Sequence, residues 1–223
     1  MKFLSRLPSL LLVLALLPLS ACAADDAPPV AGEDYLEIEG GQPYAPLEGK
    51  VEVVEIFGYT CPHCAHFEPQ LEAWTARQPR YVRVTPLPAA FGGPWDAFAR
   101  AYFAADALGV AKRSHRAMFE AIHDKHSVPS QNVSPEELAA FYAGYGVDPQ
   151  RFVATLKSEA VEARVQAARE FALRSKIPGT PAVVVNGRYL VRGHSFEDVL
   201  RVTDYLIARE HAPAKPAQPA PAR

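Results

Sequence analysis

Val51-Glu52-Val53-Val54-Glu55-Ile56-Phe57-Gly58-Tyr59-Thr60-Cys61-Pro62-His63-Cys64 runs an apolar segment directly into two cysteines two residues apart. The segment Val51 to Phe57 is nearly all apolar, as in a central strand buried on both faces, and Ala65 to Arg77 behind the cysteines reads as a helix. The pair therefore stands at a strand-to-helix junction with its first sulfur at a helix N-terminus. Unpaired backbone N–H groups and the positive end of the helix dipole stabilise a thiolate there, which makes Cys61 the nucleophile. Pro62 suits the first turn because it has no N–H, and His63 adds a donor, or a positive charge when protonated, beside the sulfur. Cys64, one turn on, is the resolving thiol that attacks a mixed disulfide or completes the pair.

The position also sets the direction of the chemistry. Each pKa unit by which the thiolate lies below ambient pH favours the dithiol by about 1.4 kcal/mol, equivalent to about 30 mV of reduction potential. A disulfide tuned in this way is an oxidant. As a staple the pair would achieve little, because closing a four-residue loop barely restricts the unfolded chain.

The first residues differ in character from the rest. Lys2 and Arg6 precede the apolar stretch Leu7 to Leu19, followed by Ser20-Ala21-Cys22-Ala23-Ala24, which is a bacterial-type export signal too short to span a membrane comfortably. Two cleavage readings compete. Ala21-Cys22-Ala23 fits the small-residue signal-peptidase pattern and makes residues 1–23 the leader. Leu19-Ser20-Ala21-Cys22 matches a lipobox at all four positions; this favours a leader of 1–21 and a lipidated Cys22. Either way only Cys61 and Cys64 remain for the folded domain, in an oxidising compartment. The formal charge of -2, about -4 once Lys2 and Arg6 leave, offers no basic face for nucleic acid.

With 223 residues, 49% of them apolar, the chain can bury a sizeable core in one domain with a subdomain. Residues 24–34 read as a flexible spacer and 212–223 as a disordered Pro/Ala tail. Strand signals fall at Tyr35 to Ile38, Val51 to Phe57, Tyr81 to Thr85, Ala182 to Val185 and Tyr189 to Val191, with Asn186-Gly187 marking a tight hairpin between the last two. Between them, helical spacing dominates from Pro94 to Arg174, with a capping box at Ser134-Pro135-Glu136-Glu137 and starts at Asp148-Pro149 and Ser195. The pattern predicts an α/β sheet domain, 35–93 with 175–211, interrupted by an all-helical insertion, 94–174. The loose group His115, His123 and His126 reads as solvated helix positions.

Two further elements bear on the dithiol. Glu55 lies on the central strand, where alternation places it beneath the cysteine-bearing helix. A carboxylate there is costly to bury and is a candidate proton acceptor for Cys64. Glu68 shares the helix with Cys64, either paired locally or exposed. Ile177-Pro178-Gly179-Thr180-Pro181-Ala182 precedes a strand, where a cis proline can be held. If the fold brings this loop to Cys61, the Thr180 backbone can pair with an extended peptide.

The stretch Glu55 to Glu68, taken with Gly179-Thr180-Pro181-Ala182-Val183-Val184-Val185-Asn186-Gly187, resembles the DsbA family of bacterial thiol:disulfide interchange proteins, over about Tyr35 to Arg209. The resemblance implies a thioredoxin fold, a central mixed sheet flanked by helices, carrying an inserted all-helical domain. It also implies a periplasmic enzyme that donates its disulfide to newly exported proteins and is reoxidised by a DsbB-type quinone-linked membrane oxidase. No cofactor is implied beyond the Cys61–Cys64 disulfide. Carried over by position, Cys61 is the exposed nucleophile and Cys64 its buried partner. Pro62 and His63 are the tuning dipeptide, Glu55 and Glu68 the nearby acids, and Thr180-Pro181 the cis-proline loop. Threonine rather than valine before the proline departs from the best-known members and bears on substrate preference.

A disulfide isomerase or reductase of the same fold is the nearest rival. Isomerases of this type usually carry an N-terminal dimerisation domain, for which the stretch between leader and Val51 leaves no room; this favours a monomeric oxidase. Metal binding by Cys61, Cys64 and His63 or His66 would want a second ligand pair, and none is present in the sequence. Covalent haem would need histidine where Ala65 stands.

Overall fold

Seven consecutive residues, all buried, make β2 (Val51–Phe57) the strand on which the molecule is built. It belongs to a five-stranded sheet in a computed structural model of the chain, which describes residues 27–212. The export leader with Cys22, the first residues of the expected spacer and the tail from residue 213 lie outside the described residues. The other strands are β1 (Tyr35–Glu37), β3 (Val82–Pro88), β4 (Ala182–Val185) and β5 (Tyr189–Val191), in the spatial order β1-β5-β4-β2-β3. β2 and β3 are parallel, joined through α1 (Pro62–Thr75), while β4 lies antiparallel to β2 and forms a hairpin with β5. The hairpin turns at Asn186-Gly187, both with positive φ, as the dipeptide predicts.

Side-chain alternation on these strands separates two apolar layers. Val53, Val183 and Val185 meet Phe67, Leu71 and Trp74 of α1 and Val202, Leu206 and Ile207 of α7 (Phe196–His211). Val54, Ile56 and Val184 face the other way. Their layer continues into five helices between β3 and β4: α2 (Pro94–Ala107), α3 (Ala111–His123), α4 (Pro135–Ala143), α5 (Pro149–Leu156) and α6 (Glu159–Arg174). The expected order of strands, helical block, hairpin and final helix is therefore observed. The Ser134 capping box is formed in both directions, and Ser195 accepts from the Asp198 N–H.

Three local boundaries differ from expectation. α1 spans Pro62–Thr75 against the expected Ala65 to Arg77, with Cys61 at the N-cap in extended backbone, φ -91° and ψ 115°, and Pro62 in the first turn as its residue type suggests. β3 runs on through Pro86 and Pro88; it is a sheet edge, where a residue without an N–H is tolerated. The expected spacer gives way at Val30 to a turn, closed by Asp34 N–H to the Val30 carbonyl and by Gly32 N–H to the Tyr35 carbonyl.

Glu52 is fully buried in β2, and its carboxylate accepts from the N–H groups of Tyr44 and Ala45 and pairs with Arg83 at 2.8 Å. Those partners offset the desolvation a lone buried carboxylate would suffer. Just past β2, Gly58 lets the chain approach α2 closely: a Cβ on it would stand 2.0 Å from Trp95 Cζ3. Gly58→Ala must displace that ring and is expected to destabilise the protein by about 1–3 kcal/mol, read from the urea midpoint.

Candidate active site

Cys61 and Cys64 are both buried free thiols where β2 passes into α1. Cys61, expected to be exposed, keeps 8% of its surface accessible against 0% for Cys64. The covering element is the distant loop: Cys61 Sγ lies 3.4 Å from the Thr180 carbonyl oxygen, to which it donates when protonated. The Thr180–Pro181 peptide is cis, as its sequence context suggests. Pro62 and His63 are exposed on the outer side of the first turn. A groove of about 480 Å³ opens beside them, lined by His63, Phe67, Thr180, Pro181, Phe196 and Val199 among others.

The two sulfurs have opposed ionisation. A hydrogen bond from the Cys64 thiol, joined by one from Thr180 and by the backbone N–H groups of Cys64 and His63, lowers the Cys61 pKa to about 5, against the opposing effect of burial. The Cys64 thiol is pushed far up, first by that same hydrogen bond, then by burial and by the charge of Glu55. At neutral pH the pair therefore holds one thiolate, on Cys61, and one proton, on Cys64.

Glu55 is buried in β2, and its carboxyl is raised well above the usual carboxylate range by burial, then by the charges of Glu68 and Cys61. Glu68 is also buried, so the exposed alternative does not hold: α1 turns it inward, against α3. His115, expected to be solvated, is buried as well, with Nε2 3.5 Å from Glu68 Oε2 and Nδ1 2.8 Å from the Tyr59 hydroxyl. His123 Nε2 reaches the Tyr59 carbonyl oxygen at 2.8 Å, and His126 Nδ1 lies 3.0 Å from the Ile122 carbonyl oxygen. The signal that could have placed His115 inside is its spacing from Met118, Phe119 and Ile122, which puts it on the buried stripe of α3.

A low-pKa thiolate at a helix N-cap, a proton-retaining thiol one turn later and a backbone carbonyl across from them define a thioredoxin-fold dithiol–disulfide oxidoreductase site. Residues 52–202 match the family model described as "DSBA-like thioredoxin domain", and the chain belongs to that family. It is 39% identical over 198 residues to the thiol:disulfide interchange protein DsbA of Pseudomonas aeruginosa, covering 87% of this chain and 91% of that protein. It is 38% identical over 184 residues to DsbA of Azotobacter vinelandii, covering 81% of this chain and 84% of the relative. Among solved structures, oxidoreductase DsbA from Xylella fastidiosa superposes with a TM-score of 0.81 at 69% identity, covering 82% of this chain and 97% of that one.

Iodoacetamide alkylation of the reduced protein is expected to follow a single ionisation near pH 5, as the pKa of Cys61 requires; a midpoint at the ordinary thiol value would contradict it. Because the folded pKa lies below the unfolded one, the thiolate stabilises the reduced protein above the ordinary thiol pKa, and that stability is lost as pH falls through about 5. Glu55 has the opposite sign. Its raised pKa makes its ionisation oppose folding as pH rises above the usual carboxylate range, so Glu55→Gln should raise thermal stability, by more at pH 8 than at pH 5.

Proposed function

We propose that the chain oxidises dithiols in exported proteins by passing on the Cys61–Cys64 disulfide, and the observation that carries this reading is the placement of Cys61 at the N-cap of α1, against the Thr180 carbonyl, with Cys64 fully buried one turn on. A substrate thiolate attacks Cys61 Sγ, the Cys61–Cys64 bond breaks, and Cys64 leaves and takes a proton. A second substrate thiolate then attacks the substrate sulfur of the mixed disulfide and releases Cys61 as a stabilised thiolate. A leaving group with so low a pKa departs fast and favours the reduced enzyme, so the disulfide is a donor rather than an acceptor.

Each site residue has a role in this reading. Cys61 is the nucleophile and leaving group, Cys64 the resolving thiol, and Pro62 with His63 forms the exposed first turn that tunes the thiolate. Glu55, with Glu68 beside it, handles the Cys64 proton. Thr180-Pro181 presents backbone to an extended substrate, whose side chains enter the neighbouring groove lined by Phe67 and Phe196. The sheet domain, 35–93 with 175–211, carries the chemistry, and the insertion, 94–174, closes over its acids. The Cys61–Cys64 disulfide is itself the redox group, with no further cofactor and no metal.

Folding exported proteins are the substrates and a DsbB-type quinone-linked membrane oxidase is the reoxidant; the protein acts as a monomer in the periplasm. Among the described residues, no helix is long and apolar enough to cross a membrane. The leader directs export, and a lipidated Cys22 holds the domain at the membrane surface.

Cys61→Ser is expected to abolish oxidation of a reduced model protein, while Cys64→Ala should accumulate Cys61-linked mixed disulfides visible on non-reducing gels. Equilibrium with glutathione separates donor from reductase: a potential near that of thioredoxin, about -270 mV, would overturn the oxidase reading. Mass spectrometry of the N-terminus should find diacylglyceryl-modified Cys22, and a chain starting at Ala24 would remove the anchor from the proposal.

A further inference from the structure

Beneath Cys64 three buried groups meet that the dithiol mechanism leaves only partly used. A carboxylate oxygen of Glu55, one of Glu68 and a ring nitrogen of His115 all lie within 4.8 Å of one another, supplied by β2, α1 and α3. Glu55 Oε2 and His115 Nε2 have no hydrogen-bond partner among the described residues. The rings of Phe57, Phe119 and Tyr102 pack against the imidazole, with centroids 4.6, 5.3 and 5.7 Å away. The groups able to titrate that face it are thus Glu55, Glu68, Tyr59 and Tyr102. On its own helix, the neighbouring Ser114 hydroxyl donates to backbone carbonyls, and Arg116 turns outward to Glu72 and Glu120.

The cluster has two ends. Glu55 is near enough to the dithiol for its charge to act on Cys64. Glu68 lines a cleft between α1 and α3 that also contains His66, Glu120 and His123 and opens to solvent. Burial, joined by the charges of Glu68 and Cys61, holds the Glu55 carboxyl well above the usual carboxylate range, so that carboxyl carries a proton there. A second proton would bring the cluster to neutrality, the least costly charge for a buried site.

We propose that Glu55, Glu68 and His115 form a proton relay between Cys64 and solvent, with His115 as the positioning residue that receives a proton arriving at Glu55 and passes it to Glu68. This inference rests on the oxidase reading above and deepens it. In reoxidation, the Cys61 thiolate attacks one sulfur of the reoxidant's disulfide and releases a thiolate on the other. The Cys64 S–H gives its proton to the cluster, and its thiolate attacks Cys61 Sγ, forming the Cys61–Cys64 bond and freeing the second reoxidant thiolate. Two electrons pass from the dithiol to the reoxidant, and one proton leaves through Glu68. Disulfide donation runs the same path backwards, the cluster returning a proton to Cys64 as it leaves.

The test uses the exported domain, with oxidised glutathione as reoxidant, and follows closure of the Cys61–glutathione mixed disulfide by Cys64 from pH 5 to 9. His115→Gln is expected to slow closure about tenfold or more and to change its pH profile, with Cys61 alkylation followed alongside as a check on the nucleophile. In the unsubstituted protein, the ring ¹⁵N shifts of His115 should differ between oxidised and reduced forms. A folded His115→Gln protein with unchanged closure rate and profile would overturn the relay, as would stoichiometric metal bound at the three groups in protein purified without added metal. Should that variant fail to fold, the ¹⁵N shifts decide: a redox-dependent change supports the relay and invariance overturns it. Failure of the relay leaves oxidation of reduced substrate by the unsubstituted protein intact, whereas failure of the oxidase reading removes that activity itself.

Discussion

The N-cap placement of Cys61, which leaves the first-turn N–H groups of α1 beside its sulfur, is the constraint the rest of the structure serves. Those N–H groups act as fixed partial positive charges, and they can do so only if the helix starts at Pro62 and the sulfur occupies the N-cap position. β2 secures the start. Buried along its whole length and paired on both sides, it delivers the chain to Gly58 at a defined height above the sheet. The packing of Trp95 against Gly58 ties the same point to the helical insertion.

The site is asymmetric because its two sulfurs occupy different surroundings one helical turn apart. Cys61 meets backbone donors and the Thr180 loop, while Cys64 points into the core toward Glu55. One hydrogen bond between the thiols deepens both effects, since it stabilises the thiolate and holds the remaining proton. Glu55 is an unfavourable residue to bury, and its retention beneath a redox dithiol is the kind of local cost that functional sites carry. By contrast Glu52, two β2 positions from Val54, is buried with a full set of partners and requires no functional account.

How far the sequence was legible varied with how local the signal was. The apolar run of β2, the capping box at Ser134, the Asn186-Gly187 turn and the order of elements rest on contacts within a few residues, and each was readable. The side on which Glu55 leaves β2 follows from strand alternation, a strict period of two. Helical spacing alone does not decide Glu68, since one face of α1 meets α3 and another meets solvent. His115 differs from expectation for a related reason. Its residue type suggested solvent, whereas its spacing from Met118 and Phe119 put it on the buried stripe of α3.

What the sequence determined by itself is the reactive unit: two cysteines at a strand-to-helix junction, with the proline that starts the helix and the acid six residues before it. These depend on backbone periodicity and on a helix end, both of which are properties of a short segment. Only the tertiary structure decided that Thr180, 119 residues after Cys61, lies against its sulfur, and that α3 completes a buried three-group cluster beneath Cys64. Contacts between segments so far apart depend on how two apolar layers pack across one sheet, and no local pattern in the chain encodes that distance.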